Sequence, residues 1–409
     1  MNMNEPKLRF KADDGSQFPD WEEHNFGDLY KVCSGYAFKY ENYCASGVAL
    51  VNGQAIQHGW IDDNNMNYLP ETFLQQYKDF VLKENDIVLG LNRPITNGKL
   101  KIARVPKEYN NSLLYQRAGK IVCKKAVDDD FSYALLAREI FKFTIKEAAG
   151  SDQPFISTSK LNNWKIIVPS SEQEQQKIAE FLSTIDTVIA KQKETVSAWE
   201  ERKKGVMQKL FSQEVRFKAD DGSEFPEWKK KPFGDIVSEF KVKTKVENED
   251  TLLSCAINGV FLNSELFGHQ RGQSNIGYLK IKKGTLILSA QNLHLGNANV
   301  NLRFEHGIIS PAYKTYDIVG CSAEYMSQWV KWDMTKQFFY NATTVGASEC
   351  RRNVDWNMLY SQLFAVPCLA EQQKIADCLS SLDDVIEKQK ATLAAWEELK
   401  KGLLQQMFV

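Results

Sequence analysis

Residues 174–211 read EQQKIAEFLSTIDTVIAKQKETVSAWEERKKGVMQKLF, and residues 371–408 read EQQKIADCLSSLDDVIEKQKATLAAWEELKKGLLQQMF. The two stretches align without a gap. In both, mainly apolar residues recur at alternating steps of four and three, a spacing that is typical of the seam of a coiled coil. Each helix should be about 55 Å long at 1.5 Å per residue. The sequence therefore predicts two long helices that pack on each other.

Two positions of the predicted seam are polar in both copies. Gln192 and Gln389 occupy equivalent places, as do Lys203 and Lys400, so we expect these residues to face each other across the helix pair. The other reading is a pair of ordinary amphipathic helices that lie on separate cores. The predicted helix–helix interface consists of Ile178, Leu182, Ile185, Ile189, Gln192, Val196, Trp199, Ile375, Leu379, Leu382, Ile386, Gln389, Leu393 and Trp396.

A second repeat favours the coiled coil. Residues 9–28, RFKADDGSQFPDWEEHNFGD, recur as residues 216–235, RFKADDGSEFPEWKKKPFGD. The chain therefore runs segment, body, helix, and then repeats that order. The first long helix is followed directly by the second copy of the repeated segment, whereas the second long helix ends at Val409. By analogy, we expect the N-terminal copy of the segment to lie just beyond Val409. This arrangement requires the two helices to be antiparallel. We interpret both segments as ordered linkers whose aromatic residues pack on a helix end.

The predicted fold is α+β, with two globular mixed α/β bodies joined by two long antiparallel coiled-coil helices in a cyclic arrangement with pseudo-two-fold symmetry. The predicted divisions are an N-terminal segment (1–23) near the end of the second helix, a first body (24–169), a central helix (170–212), a connecting segment (213–228), a second body (229–367) and a C-terminal helix (368–409). Strands are predicted at 48–51, 86–89, 101–105, 119–123, 284–288 and 316–319, and body helices at 131–149 and 323–341.

Local signals refine the two long helices. Ser171 and Glu174 have the spacing of a capping box, in which a hydroxyl and a carboxylate satisfy backbone donors reciprocally. Gly205 and Gly402 interrupt the helix pattern at a cost of about 1 kcal/mol each relative to alanine. We expect another backbone to approach closely at these glycines, and a frayed helix end is the alternative.

Composition describes an ordinary soluble protein. The 409 residues are 43% hydrophobic and 25% charged, and no run of 18 apolar residues occurs. The first residues, MNMNEPKLRFKADD, hold no apolar signal core, so we expect a cytoplasmic location. The eight cysteines form no CxxC pair, which favours reduced, scattered thiols.

Charge is distributed unevenly along the chain. Residues 24–169 contain 18 Lys and Arg against 15 Asp and Glu, and residues 229–367 contain 16 against 12. The remaining segments contain 17 against 25, although the whole chain has a net charge of −1. Mildly basic bodies on an acidic frame are compatible with phosphate binding, because that binding depends on local charge.

Motifs for enzymatic chemistry are missing from the sequence. It contains no GxxxxGK[ST], no GxGxxG turn and no Asn/Asp-Pro-Pro-aromatic motif of an amino-group methyltransferase. The five histidines lack metal-ligand spacing. The Glu398–Lys400 pair resembles a nuclease ExK element, but it lies in the coiled-coil frame. We therefore expect no catalytic residue and no metal site in this chain.

Polar loops on both bodies carry the residue types that read DNA. Arginine can donate two hydrogen bonds to guanine, asparagine and glutamine can bond adenine in the same manner, and lysine more often binds phosphates. For any one of these residues, a solvated surface role is an equally good reading. The candidate DNA-binding residues are Asn92, Arg93, Lys99, Arg117 and Lys160 in the first body, and Arg271, Gln273, Asn275, Asn292, Arg351 and Arg352 in the second.

The duplicated pattern resembles a known family, the DNA-specificity subunits of type I restriction–modification systems. The resemblance is carried by the EQQKIA helix openings at 174–179 and 371–376, each shortly after a Val-Pro, and by the FPxW and FGD elements within 18–28 and 225–235. It covers essentially the whole chain, but the loop residues vary within the family.

The resemblance implies a non-catalytic subunit for bacterial defence, in which each of two target-recognition domains reads one half of a bipartite asymmetric DNA site. The helices would set the spacer and dock two methyltransferase subunits that use S-adenosylmethionine to methylate adenine. Restriction subunits using ATP and Mg²⁺ would join them. Two competing classes are a coiled-coil scaffold whose globular domains bind proteins, and a DNA-modifying enzyme with unrecognised chemistry.

Overall fold

The structure, a computed structural model, describes residues 5–64, 66–124, 127–147, 154–267, 274–348 and 351–408. The chain forms two compact units, the first made of residues 1–191 and 393–409 and the second of residues 192–392. Each unit thus holds one body and one half of each long helix. The division falls within the long helices, between residues 191 and 192 and between residues 392 and 393, because each body packs on the helix halves next to it.

The first body contains short strands and helices, and the first long helix follows it. Its strands are β1 (Trp21–Asn25), β2 (Tyr30–Ser34), β3 (Val48–Val51), β4 (Asn67–Leu69), β5 (Ile87–Gly90), β6 (Ile95–Thr96), β7 (Lys99–Leu100), β8 (Ile102–Arg104), β9 (Leu113–Leu114), β10 (Ala118–Cys123) and β11 (Lys165–Pro169). The helices are α1 (Phe26–Leu29), α2 (Phe73–Gln76), α3 (Asp129–Glu147), α4 (Thr158–Asn162) and the long α5 (Glu172–Phe211).

The second body has the same kind of composition. Its strands are β12 (Lys229–Pro232), β13 (Val237–Phe240), β14 (Leu253–Ala256), β15 (Gly259–Leu262), β16 (Leu279–Lys282), β17 (Leu286–Ser289), β18 (Ala298–Val300), β19 (His306–Ile309), β20 (Tyr313–Ile318), β21 (Thr343–Ser348), β22 (Arg351–Val354) and β23 (Leu363–Val366). The helices are α6 (Asn263–Leu266), α7 (Ala323–Trp329), α8 (Asp333–Asn341), α9 (Trp356–Ser361) and the long α10 (Leu369–Met407).

Each unit is built on a four-stranded antiparallel sheet. The strand order is β2-β10-β5-β8 in the first unit and β13-β20-β17-β18 in the second. The two orders correspond strand for strand, although the bodies share little sequence. All four residues of β5 and of β17 are buried, as expected for the apolar runs that form central strands.

The two long helices form antiparallel pairs in both units. In the second unit the Gln192 side-chain amide donates to Gln389 Oε1 at 2.7 Å, and Lys203 Nζ donates to Asp383 Oδ1 at 2.6 Å. All fourteen predicted interface residues are buried or half-buried, as the seam of a coiled coil requires. The reading as helices on separate cores is therefore wrong.

One detail of the predicted seam is also wrong. The glutamines face each other, but the lysines do not. Lys203 pairs with Asp383, and in the first unit Lys400 pairs with Asp186. Because the helices are antiparallel and Gln192 lies opposite Gln389, residues after Gln192 lie opposite residues before Gln389. Each lysine therefore meets an aspartate of the other helix, to which its positive charge is attracted.

The N-terminal segment joins the ends of both long helices in the first unit. Arg9 donates to Glu174 through Nε at 2.8 Å and through Nη2 at 2.9 Å, and the Trp21 indole donates to the same carboxylate at 3.2 Å. The backbone N–H of Leu8 donates to Gln406 O at 2.9 Å. The segment therefore packs beside the C-terminal end of α10, as the repeat predicts.

The repeated segment makes the same contacts in the second unit. Arg216 donates to Glu371 through Nε at 3.0 Å and through Nη2 at 2.8 Å, and the Trp228 indole donates to it at 3.0 Å. The backbone N–H of Val215 donates to Lys209 O at 3.2 Å. Val215 and Lys209 occupy the same positions in the repeat as Leu8 and Gln406. In the second unit the two bonded residues are close in sequence, whereas in the first unit they come from opposite ends of the chain.

Three local predictions need correction. Ser171 Oγ accepts from the Glu174 N–H at 3.4 Å, but the Glu174 carboxylate binds Arg9 and Trp21, so the reciprocal half of the capping box is absent. A charge-assisted, two-point bond to a guanidinium is stronger than a single bond to a backbone N–H.

A Cβ placed on Gly205 or Gly402 meets no described atom within 4 Å, so no backbone of the described residues approaches either glycine.

The predicted body helices are also adjusted. The helix predicted at 131–149 covers Asp129–Glu147, and residues 148 and 149 lie outside the described part of the chain. The helix predicted at 323–341 is divided into α7 and α8. At the break the Trp329 carbonyl accepts from the Thr335 hydroxyl at 2.6 Å and from the Trp332 N–H at 3.0 Å.

Candidate nucleic-acid interface

Polar and aromatic residues from several loops meet at one end of the four-stranded sheet in the first unit. Strands β2 and β5 end here and β10 begins here, because Gly119 lies opposite Ser34 and Ala118 lies opposite Gly90. Loops that adjoin these strand ends are therefore neighbours. We call this surface the first edge; it consists of Tyr36, Asn92, Arg93, Gln116, Arg117 and Phe155.

Backbone hydrogen bonds hold the loops of the first edge together. The N–H of Gln116 donates to Tyr36 O at 3.0 Å, and the N–H of Leu91 donates to Arg117 O at 3.1 Å. These bonds place the loop before β10 between the loops that follow β2 and β5. Side chains that are far apart in the sequence can therefore reach one ligand together.

Exposed aromatic rings accompany the cations of the first edge. Phe155 is 59% exposed and Tyr36 is 40% exposed, although large apolar side chains usually prefer burial. An isolated backbone bridge pairs Phe155 with Asn92, which fixes the ring beside the loop after β5. Basic groups interleaved with aromatic faces are the combination that nucleic acids bind.

The cations of the first edge are not neutralised. Arg93, Arg117 and the nearby exposed Lys99 have no acidic partner within the described residues. Lys160 differs, because its ammonium pairs with Glu147 at 2.6 Å. The first edge therefore presents positive charge that is available to an anionic ligand.

The second unit has a corresponding edge. Strand β13 ends at Phe240 opposite Thr315, and β17 ends at Ser289 opposite Tyr313, where β20 begins. We call the adjoining surface the second edge; it consists of the exposed residues Lys241, Val242, Lys243, Gln291 and Asn292.

Equivalent hydrogen bonds define which residues correspond. The N–H of Ala290 donates to Ala312 O at 3.2 Å, as that of Leu91 donates to Arg117 O in the first unit. Ala290 therefore corresponds to Leu91, and Asn292, two residues after Ala290, corresponds to Arg93. Three of the predicted DNA-binding residues of the first body, Asn92, Arg93 and Arg117, and Asn292 of the second therefore lie at the same end of corresponding sheets.

The two edges differ in chemistry. The first edge offers guanidinium groups, which can donate two hydrogen bonds to guanine O6 and N7. Both edges offer side-chain amides, which can bond adenine N6 and N7, but the residues that define the second edge include two lysines in place of the arginines. One topology thus carries two different sets of donors and acceptors.

The structure contradicts the prediction for Asn275. Its side chain is fully buried, its amide nitrogen donates to Asn248 Oδ1 at 2.8 Å, and its amide oxygen accepts from the Asn248 N–H at 2.8 Å. A buried amide that is satisfied inside the protein cannot also bond a base. Asn275 is therefore a structural residue that holds its loop in place.

Arg352 is largely committed within the protein. Its Nε donates to the Thr343 hydroxyl at 2.7 Å, its Nη2 donates to the Thr343 carbonyl at 2.9 Å, and its guanidinium lies 4.1 Å from the Tyr340 ring centroid. Arg271 and Gln273 lie outside the described residues. The backbone of Arg351 belongs to β22, and its side chain is outside the described part.

Sequence reasoning missed several residues of the two edges. Tyr36, Lys241 and Lys243 follow the first strand of each sheet, and only the strand pairing brings them next to the loops already identified. The alternation in Phe240-Lys241-Val242-Lys243 was a usable signal, because it places lysines on one face of an extended chain. Tyr36 carried no such signal.

Other kinds of site find little support in the described residues. No group of three or more His, Cys, Asp or Glu side chains there could hold a metal ion, and no helix there has the length and apolar character to cross a membrane. Burial raises the pKa of Cys255 and of Cys321 to about 12, so these thiols remain protonated near neutral pH.

The fold defines an internally duplicated α+β protein in which two corresponding sheet edges differ in chemistry. Residues 19–197 match the family model described as the type I restriction modification DNA specificity domain. The chain is 37% identical over 212 residues to the type I restriction enzyme MjaVIII specificity subunit of Methanocaldococcus jannaschii, covering 51% of this chain and 50% of that protein.

Two further comparisons agree. The chain is 31% identical over 171 residues to the type I restriction enzyme EcoAI specificity subunit of Escherichia coli, covering 41% of this chain and 28% of that protein. The chain thus spans half the length of the first relative and less of the second. Its fold resembles the crystal structure of the type I restriction–modification S subunit from M. genitalium, with a TM-score of 0.53, 15% identity and 99% coverage of both chains. Over these stretches the chain is therefore similar to type I restriction–modification specificity subunits.

Proposed function

We propose that this chain is the sequence-specific DNA-binding subunit of a type I restriction–modification complex. In this proposal each body reads one half of a bipartite, asymmetric site through its sheet edge. The observation that carries the proposal is that corresponding edges on a duplicated frame bear different base-reading groups. The repeated helices and segments are nearly identical in the two copies, whereas the edges differ. Such a difference is expected if the two edges bind different targets.

The long helices have a separate role in the proposal. Both contribute to both units, so their length fixes the gap between the two half-sites. Two weak half-site interactions that are linked by a rigid helix pair give one high-affinity site, because binding of the second half-site becomes intramolecular. The helices also dock two methyltransferase subunits, which use S-adenosylmethionine to methylate adenine, and restriction subunits that use ATP and Mg²⁺ join them. This chain contributes recognition and no catalytic group.

The edges supply the specificity. Arg117 would donate to guanine in the first half-site, and Asn292 would bond adenine in the second; loss of one two-point base contact costs about 1–3 kcal/mol. Lysines and backbone groups of both bodies would bind phosphates, which position the protein without reading sequence.

A gel-shift series with the methyltransferase partner tests the proposal. Wild-type chain should bind duplex DNA with an affinity that falls as salt rises. Arg117→Ala should relax recognition at one position of one half-site, and Asn292→Ala should do so only in the other. As a matched control, Lys83→Met changes an exposed lysine that bonds Asn111 near the opposite end of β5, and it should leave recognition unchanged.

Three outcomes would contradict the proposal. Absence of salt-sensitive DNA binding would favour a scaffold whose bodies bind proteins. Methyl transfer by the isolated chain would make it an enzyme. If Arg117→Ala and Asn292→Ala each affected both half-sites equally, the proposal that each edge reads one half-site would be wrong.

A further inference from the structure

A buried lysine lies directly beneath the first edge. Lys101 is only 8% exposed and sits between β7 and β8, where its N–H donates to Pro94 O at 2.7 Å and its carbonyl accepts from the Gly90 N–H at 2.9 Å. A Cβ added to Gly90 would lie 3.0 Å from Lys101 Cβ and 3.2 Å from Lys101 Cδ. The lysine side chain therefore runs along the last residue of β5 and uses space that only a glycine leaves open.

The charge of Lys101 is not compensated within the described residues. No hydrogen-bond acceptor and no carboxylate there contacts its ammonium group, and the charged group that acts on it most is the cation Arg93. Burial, followed by the positive charge of Arg93, lowers the pKa of Lys101 below its usual range. Holding a partly desolvated, unpaired ammonium beside another cation opposes folding, so packing alone does not account for this residue.

The second unit shows that the sheet does not require a cation at this position. The N–H of Ser289 donates to Asn297 O at 3.1 Å, which is the counterpart of the bond from Gly90 to Lys101. Asn297 is equally buried at 6% exposure, is neutral, and its Oδ1 accepts from Asn299 at 3.3 Å. A satisfied amide thus fills the place that an unsatisfied lysine occupies in the first unit.

We infer that Lys101 and Arg93 form an anion site in the first body that takes one phosphodiester group of the DNA bound at the first edge. The inference rests on the proposed function and adds to it, because it assigns a phosphate contact to a residue that is only 8% exposed. Two cations that lack partners in the free protein gain one when the phosphate arrives. The contact fixes the position of the backbone against the sheet, and base reading remains with the exposed groups around it.

The test measures the salt dependence of binding. Full-length chain and its DNA duplex are titrated at several salt concentrations, and log Kd is plotted against log[salt]. Each neutralised phosphate contributes a slope of about 0.9 in B-form DNA. Lys101→Met should reduce the slope by about that amount, so that raising salt from 50 to 200 mM weakens binding about 3.5-fold less than in wild type. The recognised sequence should not change.

Several controls separate the outcomes. Lys101→Met removes an uncompensated charge, so the variant should be at least as thermally stable as wild type. Arg93→Gln alters an exposed side chain without risk to folding and should also reduce the slope. Lys83→Met should not. A duplex with one neutral methylphosphonate at the contacted position should lower the slope for wild type and not for Lys101→Met, whereas inorganic phosphate alone should compete only weakly.

Two results would overturn the inference. If wild type binds DNA with a measurable slope and neither Lys101→Met nor Arg93→Gln alters it, the site is wrong while the proposed function stands. Tight binding of inorganic phosphate with no sensitivity to any methylphosphonate would show a free-anion site instead. Absence of DNA binding by wild type would remove the proposed function itself, and the inference with it.

Discussion

Two fully buried carboxylates, Glu174 and Glu371, hold the repeated segments against the starts of α5 and α10. Each accepts two hydrogen bonds from an arginine and one from a tryptophan indole. The repeat showed that these residues recur, but their partners lie far away in the sequence. A local pattern therefore suggested a capping box where the fold builds a long-range ion pair.

Removing one of these carboxylates should be strongly destabilising. Glu174→Ala leaves the Arg9 guanidinium and the Trp21 indole without their acceptor, and breaking a buried pair in this way costs about 3 kcal/mol. Urea denaturation should show this loss in the free energy of unfolding. Glu371→Ala should cost a similar amount, because its contacts are the same, and Glu180→Ala on the exposed face of α5 should cost little. Near-neutral values for both buried sites would refute this account of the segments.

The glycines inside the long helices give a prediction of opposite sign. Because a Cβ at Gly205 or Gly402 meets no described atom within 4 Å, alanine fits at both positions. Each substitution to alanine should raise the free energy of unfolding by about 1 kcal/mol, since alanine loses less conformational freedom in a helix. Thermal melts of both variants measure this. A fall in stability at either glycine would mean that a contact with the added methyl group has been overlooked.

At the scale of elements, the long helices were predictable and the edges largely were not. The seam follows from a periodicity that any reader of the sequence can count, and α5 and α10 begin and end within a few residues of the predicted limits. The edges depend on strand pairing. Lys99 is exposed and Lys101, two residues later, is buried. The difference arises because Gly90 lies against Lys101, and no local sequence pattern reveals that contact.

The helix pair provides a test of the proposed spacer. Deleting one heptad from α5 and the facing heptad from α10 preserves the seam, because seven residues restore the same face. We expect the gap in the recognised DNA site to shorten while both half-site sequences remain. Mapping the methylated sites of the variant complex measures both quantities. Altered half-sites with an unaltered gap would contradict the spacer role.

At the scale of the whole molecule, the duplicated frame and the divergent bodies suggest modules that can be exchanged. Replacing residues 229–367 with the second body of a type I specificity subunit should change one half-site only, because the first edge lies entirely within the first unit. The methylation pattern of the hybrid complex checks this. A simultaneous change in both half-sites would show that the bodies do not read independently.

The central claim is that one chain reads two different half-sites through two corresponding edges. Genome-wide mapping of methylated adenine, in cells that carry this chain with the proposed methyltransferase partner, tests it most directly. We expect a single asymmetric motif of two short specified halves separated by a gap of unspecified bases, and we expect it to disappear when this chain is deleted. A motif that is continuous, or that persists without the chain, would contradict the account.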